Sequence, residues 1–314
     1  MKIHAYVLAS DPGKLEASVL SYYDLVSRIV VSYDEDGLGW TGVPTPYSAE
    51  CLRRLRAIDS DKKMVYVAGR YARTEFDPLA NDTYQRQDAL DAASDGADWV
   101  LQIDTDEVIG APDTFAKCME EAIRADCDAM NYPATWLFSH AEGPWYLCRC
   151  RRGWGRVTDF PAPVMVRAGS ELVHCRRVHR KSKFFHVDLN STPSFLAWPE
   201  RVPVNKIIER SEGIFHFSWV RPRAWLEAKL ASWSHSGGRD WSGDLRRWDF
   251  ACRRPWLASF LSQFVDTSLY NWPLAPVKAP DLVCDLLKRC ELATHGVADN
   301  PEMEMAAKKD LELT

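Results

Sequence analysis

Short apolar runs alternate with longer amphipathic stretches along the first 135 residues. Lys2–Ala9 (KIHAYVLA) reads as a buried strand, and Asp11-Pro12-Gly13 as a turn into a helix through Tyr22. Arg28–Tyr33 (RIVVSY) is a second strand, rich in β-branched residues, ending in the acidic loop Asp34-Glu35-Asp36-Gly37. A helix near Tyr47–Ile58 precedes a third strand, Lys63–Ala68. Asn81 is placed to cap a helix through about Ala93, with Ala89, Leu90 and Ala93 on its inner face. Trp99–Ile103 (WVLQI) is a fourth strand, Asp113 is placed to cap the next helix, and Ala129–Thr135 begins a fifth strand.

Strands separated by helical crossovers imply a parallel sheet, and ligands of such sheets sit outside the carboxyl ends of the strands. The loops at Ser10-Asp11, Tyr33–Gly37, Ala68–Arg70 and Asp104–Glu107 therefore share one edge, and three of the four carry carboxylates. Helix capping is the plain alternative for any one of them.

Beyond residue 135 the pattern changes. Aromatic, proline and basic residues crowd residues 136–220, with strand-like pieces at Ala162–Arg167 and Gly213–Val220. Residues 221–296 return to helices, clearest at Pro222–Ser234 and Leu245–Phe264, where Trp225, Trp233, Trp241, Trp248 and Trp256 suggest packing on the main body. From residue 297 the chain reads as a flexible tail. The expected organisation is an α/β domain over 1–220, its halves divided at 135/136, and a helical C-terminal extension over 221–296.

Composition narrows the function classes. With 314 residues, 46% hydrophobic and 26% charged, the chain is an ordinary globular one, and a net charge of −5 disfavours nucleic acid as a partner. That charge is uneven: Arg149–Lys183 carries ten Arg or Lys against two acidic residues. This block is either a surface for an anionic ligand or a solvated insertion. No apolar run is long enough for a transmembrane helix, no signal peptide is expected, and peripheral contact with a membrane stays open. Nine scattered cysteines without paired CxxC spacing point to reduced thiols and a cytoplasmic location.

The segment Asp98–Ile109 (DWVLQIDTDEVI) carries the most chemistry. A hydrophobic strand delivers Asp104 and Asp106 at its carboxyl end, with Glu107 directly after. Two carboxylates at this spacing can share a hard cation, Mg2+ or Mn2+, which keeps positions open for substrate phosphates and neutralises a departing diphosphate.

Asp104-Thr105-Asp106 after WVLQI resembles the metal-binding DxD of GT-A glycosyltransferases, and the surrounding sequence is similar to family 2 members. The likeness includes the opening strand with its LASDP turn, IVVSYDEDG, QRQDALDAASDGADWVLQIDTDEV, and GIFHFSWVR at Gly213–Arg221. It spans roughly residues 1–235 and is strongest in the first 110. The resemblance implies a Rossmann-like GT-A sheet and a nucleotide-sugar donor of UDP or GDP type. It further implies Mn2+ or Mg2+ as cofactor and a glycan or anionic acceptor of the cell envelope or a polysaccharide. On it, Asp104 and Asp106 would hold metal and diphosphate, and His216 would supply a third metal ligand. Ser10, Asp34 and Arg86 would join Asp104 on the donor. Read without the resemblance, His216 is a half-buried strand histidine with one backbone partner rather than a ligand. The family's acidic pair for the general base has no clear counterpart; Asp188 in FHVDLN and Glu200 in AWPER are the candidates.

Two alternatives remain open at this point. IDTDEVI also fits the opening motif of haloacid-dehalogenase-type phosphatases, with Asp104 as nucleophile and Asp106 as general acid, although that fold normally begins with this strand. A non-catalytic sugar-nucleotide-binding protein on the same fold is the other. A dinucleotide oxidoreductase is disfavoured because no GxGxxG follows the first strand.

Overall fold

The computed structural model describes residues 1–45, 47–139, 146–148, 163–189, 203–235, 240–261, 274–276 and 281–298. Its first strands are β1 (Ile3–Leu8), β2 (Arg28–Asp34), β3 (Met64–Gly69), β4 (Trp99–Gln102) and β5 (Glu107–Ile109). Then come β6 (Ala129–Asn131), β7 (Ala134–Ser139), β8 (Tyr146–Cys148), β9 (Pro163–Arg167) and the small hairpin β10 (Leu172–His174) with β11 (Arg177–Val178). The last strands are β12 (Phe184–Leu189), β13 (Lys206–Ile208), β14 (Ile214–Val220) and β15 (Leu274–Pro276). The helices are α1 (Leu15–Leu20), α2 (Ser48–Ile58), α3 (Pro78–Ser94), α4 (Pro112–Arg124), α5 (Arg223–Ser232), α6 (Ser242–Arg253), α7 (Pro255–Leu261) and α8 (Asp281–Ala298).

The main sheet runs β13-β12-β6-β9-β4-β1-β2-β3. Strands β4, β1, β2 and β3 pair in parallel, as the crossovers require, and β9 enters antiparallel between β4 and β6. Period-two alternation sends Ala5 and Val7 to one face, against α1, α2 and α4, and Tyr6 and Leu8 to the other, against Ala89, Leu90 and Ala93 of α3. The result is a parallel-rich α/β sheet of Rossmann-like type, covered by helices on both faces.

Two of the expected helix caps differ from those observed. Asp77, not Asn81, caps α3: its carboxylate accepts from the Ala80 N–H at 2.8 Å, with Pro78 at the first helical position. Asn81 is buried inside the helix and donates to the carbonyls of Trp40 and Arg73. Likewise α4 begins at Pro112, so Asp113 lies within its first turn rather than capping it.

The expected fifth strand splits at Pro133. Its first half, β6, stays in the main sheet, while β7 joins a second sheet ordered β15-β8-β7-β14-β5. Proline interrupts a ladder because it has no N–H to donate. Within the second sheet the β5–β14 pairing is extended where Gly110 donates to the Gly213 carbonyl at 2.9 Å; a Cβ there would collide with the Ser211 carbonyl, so only glycine fits. The second sheet is backed by Val283, Leu286 and Leu287 of α8, which pack with Phe215, Phe217 and Val220. Pro255 divides the long helix expected over Leu245–Phe264 into α6 and α7. Of the tryptophans, Trp248 is fully buried and donates to the Trp219 carbonyl, whereas Trp256 is 65% exposed. Among the described residues, no helix is long and apolar enough to cross a membrane.

Candidate active site

Neighbouring strands β1 and β4 lead into loops that diverge, which is the switch point where open α/β sheets hold ligands. The loop after β1 supplies Ser10 and Asp11; the turn after β4 supplies Asp104, Thr105 and Asp106. A cleft opens there with about 1010 Å³ of empty space, its mouth included. Asp34 and Trp40 wall it from the β2 side, Gln85 and Arg86 from α3, and Trp225, Ala228, Lys229 and Ser232 from α5. The α5 positions recur at three- and four-residue intervals, so a single helix face is turned to the cleft.

Strand pairing brings in the remaining groups. Strand β14 runs antiparallel to β5, setting His216 opposite Glu107 and letting Phe217 N–H donate to the Asp106 carbonyl at 2.7 Å. His216 Nε2 then lies 3.3 Å from Asp106 Oδ1, with the Trp136 ring edge-on to the imidazole. The His216 Nδ1 is buried and has no hydrogen-bond partner among the described residues.

The two aspartates are held in different ways. Asp104 Oδ1 accepts from Arg86 Nη1 at 2.8 Å, and Arg86 is braced by Asp82 at 2.6 Å. Arg176 stands 3.6 Å from the other Asp104 oxygen and makes a two-pronged pair with buried Glu107, both bonds 2.7 Å. Asp106 Oδ2 accepts from Lys229 Nζ at 2.6 Å and Arg221 Nη2 at 3.3 Å. Both cations also reach Asp11, and Lys229 donates to the Ser218 hydroxyl at 3.1 Å. Burial pushes the carboxyls of Asp104 and Asp106 up, but the surrounding cations outweigh it. Arg176 and Arg86 hold Asp104 below its ordinary value, and Lys229, His216 and Arg221 hold Asp106 well below. Asp11 is lowered in the same way, against its burial, by Arg221 and Lys229. For His216 burial favours the neutral ring, yet Asp106 reverses the balance and raises its pKa.

Of the residues expected from sequence, Ser10, Asp34, Arg86, Asp104 and Asp106 line one cleft, and His216 touches it through Asp106. Asp34 shapes the loop beyond β2: its oxygens accept from the N–H groups of Asp36, Leu38 and Tyr71. Asp188 stands apart. It lies on β12, three strand positions from β4 and so roughly 14 Å away at ordinary strand spacing, and it accepts from the Leu189 N–H. Glu200 lies outside the described residues, as do Arg149–Arg156 of the basic block. From that block Arg176 is drawn into the site, while Arg167 pairs with Asp126 on the surface.

Arg176, Arg221 and Lys229 are the members that sequence reasoning missed. For Lys229 a signal existed: it shares a helical stripe with Trp225, Ala228 and Ser232, small and aromatic residues that do not make an ordinary aliphatic core face.

A divalent cation on Asp104, Asp106 and His216 would need their donor atoms to face one point. Among the described residues no such group of three gathers. Asp104 turns toward Arg86 and Arg176, and both oxygens of Asp106 face cationic or imidazole nitrogens. In this arrangement the residues do not fit a metal ion.

No protein-family model matches the chain, and no curated protein matches it. Among solved structures it is similar to mannose-6-phosphate isomerase from Helicobacter pylori, with 12% identity and a TM-score of 0.27 over 49% of this chain and 57% of that one. It is similar also to mannose-1-phosphate geranyltransferase from Thermus thermophilus, with 14% identity and a TM-score of 0.28 over 55% and 51%. The chain spans little more than half the length of each. Overlaps this shallow decide nothing about the chemistry, which rests on the geometry of the cleft.

Proposed function

We propose that the chain is a glycosyltransferase of GT-A type that takes a nucleotide-diphosphate sugar as donor. The observation that carries this reading is the meeting of Arg86, Arg221 and Lys229 with Asp104 and Asp106 in a cleft at the β1/β4 switch point. A diphosphate leaving a sugar gains negative charge, and fixed cations in a largely water-excluded site stabilise it without reorganising. Trp40, Tyr47, Trp225 and Trp233 line the same cleft and offer ring faces for a base and a sugar. The phosphatase alternative has less support: it makes Asp104 a nucleophile, yet an arginine hydrogen bond pins one of its oxygens and a second arginine faces the other.

The test is a screen of nucleoside diphosphates and their sugar conjugates by thermal shift, followed by assay of the hits for nucleoside diphosphate release. Ligand that binds only the folded state raises the melting temperature by mass action, about 2.7 kcal/mol at a hundred times Kd. Stabilisation by UDP or GDP species with slow sugar release supports the reading. A folded protein that no nucleotide stabilises, but that cleaves a generic phosphate ester, overturns it.

A further inference from the structure

We propose that the Lys229 ammonium does at this site the work of a divalent cation, so that the donor diphosphate binds without metal. The inference rests on the glycosyl-donor reading and refines it. An ion at ordinary bonding distance from an oxygen sits about 2.1 Å from it. On Asp106 Oδ2 that space is contested by Lys229 Nζ at 2.6 Å and by Arg221 Nη2 at 3.3 Å. The second aspartate of the motif therefore already carries its counter-charge, delivered by a helix that faces the cleft.

Lys229 is also suited to bridging. An ammonium has three donor positions, taken here by Asp106 at 2.6 Å, Ser218 at 3.1 Å and Asp11 at 3.3 Å. The bond to Asp11 is the longest and is the one a phosphate oxygen would take over, because Asp11 keeps Arg221 as its partner. Exchange of one anionic acceptor for another keeps the ammonium satisfied throughout. Its side chain is 20% exposed, against 3% for Arg221, so of the two it is the one a ligand reaches.

The experiment is calorimetric titration of the full chain with UDP, GDP and inorganic pyrophosphate, once in EDTA and once with excess Mn2+. Wild-type affinity is expected to agree within about threefold between the two buffers. Lys229→Met should lose about 10- to 100-fold in EDTA, the range for a charged hydrogen bond. It should recover part of the loss with Mn2+, because the nearer of the two cations on Asp106 Oδ2 is then gone and only Arg221 at 3.3 Å remains. Lys229→Arg should bind in EDTA within about tenfold of wild type, which a merely structural lysine would not require. Wild-type binding that appears only with Mn2+ overturns the inference and leaves the donor reading standing. Absence of binding by every probe in both buffers overturns the donor reading and the inference with it.

Discussion

Asp104 and Asp106 stand two residues apart, yet the molecule treats them as opposite cases. The Asp104 side chain is 27% exposed and rests on a stiff base, since Arg176 is locked by Glu107 and by the Gln102 carbonyl at 2.8 Å. Asp106 is 6% exposed and rests on Arg221 and Lys229, which lie 115 and 123 positions further along the chain. The more exposed carboxylate is thus the one with the rigid support, while the deeper one is balanced by buried Arg221 and by Lys229, whose side chain is 20% exposed. One arm is framework and the other includes a partly exposed cation.

The comparison breaks most severely at the framework. Arg176→Met should leave Glu107 charged and fully buried without its partner, a loss of about 3–5 kcal/mol. Urea unfolding should show it as a drop in midpoint at unchanged slope. A loss below about 1 kcal/mol would mean that Glu107 finds another partner or water.

A smaller effect separates the two aspartates. Asp106→Asn and Asp104→Asn should each cost about 1–3 kcal/mol, because each leaves buried cations short of an acceptor. Their consequences for UDP or GDP binding should differ, however. Losing Asp106 frees Lys229 for the phosphates and should weaken binding less than losing Asp104, which releases Arg86 from its position. Equal effects on affinity would erase the distinction between the arms.

The smallest effect is the pH dependence, and it tells the arms apart by degree. Both carboxyls are depressed, so their stabilisation is complete above the unfolded value of about 3.9 and disappears as pH falls through the folded values. The stability gap between wild type and Asp106→Asn, followed by thermal unfolding from pH 6 to pH 3, should narrow below about pH 4. The Asp104→Asn gap should begin to narrow at the same pH but stop narrowing sooner, because Asp104 is less strongly depressed.

The same division explains what could be read from the chain. Strands β1 to β4, their parallel pairing and the placement of Ser10, Asp34, Asp104 and Asp106 at one edge follow from local periodicity and crossover length, and Arg86 follows from the family resemblance. These features span short distances in sequence, where apolar spacing speaks directly. Arg176, Arg221 and Lys229 reach the site through a hairpin beyond β9, the register of β14 on β5, and the turn into α5. None of those long-range pairings has a local signature. Pro133 could have signalled the split of the fifth strand, since a proline inside a strand pattern argues against its continuation. Asp188 is a candidate by its residue type and by the resemblance, and neither supplies the register that says which strand end is near.

That Lys229 lies so far along the chain has a consequence for biosynthesis. The loops after β1 and β4 leave the ribosome more than a hundred residues before the helix that neutralises them. Until Arg221 and α5 emerge, Asp11 and Asp106 lack the cations that pair with them in the folded chain, and their repulsion favours loops that stay open to water. Closing the cleft is therefore a late event in the life of the nascent polypeptide. A chain stalled before residue 221 would carry the entire aspartate motif and still lack the wall that makes it a site.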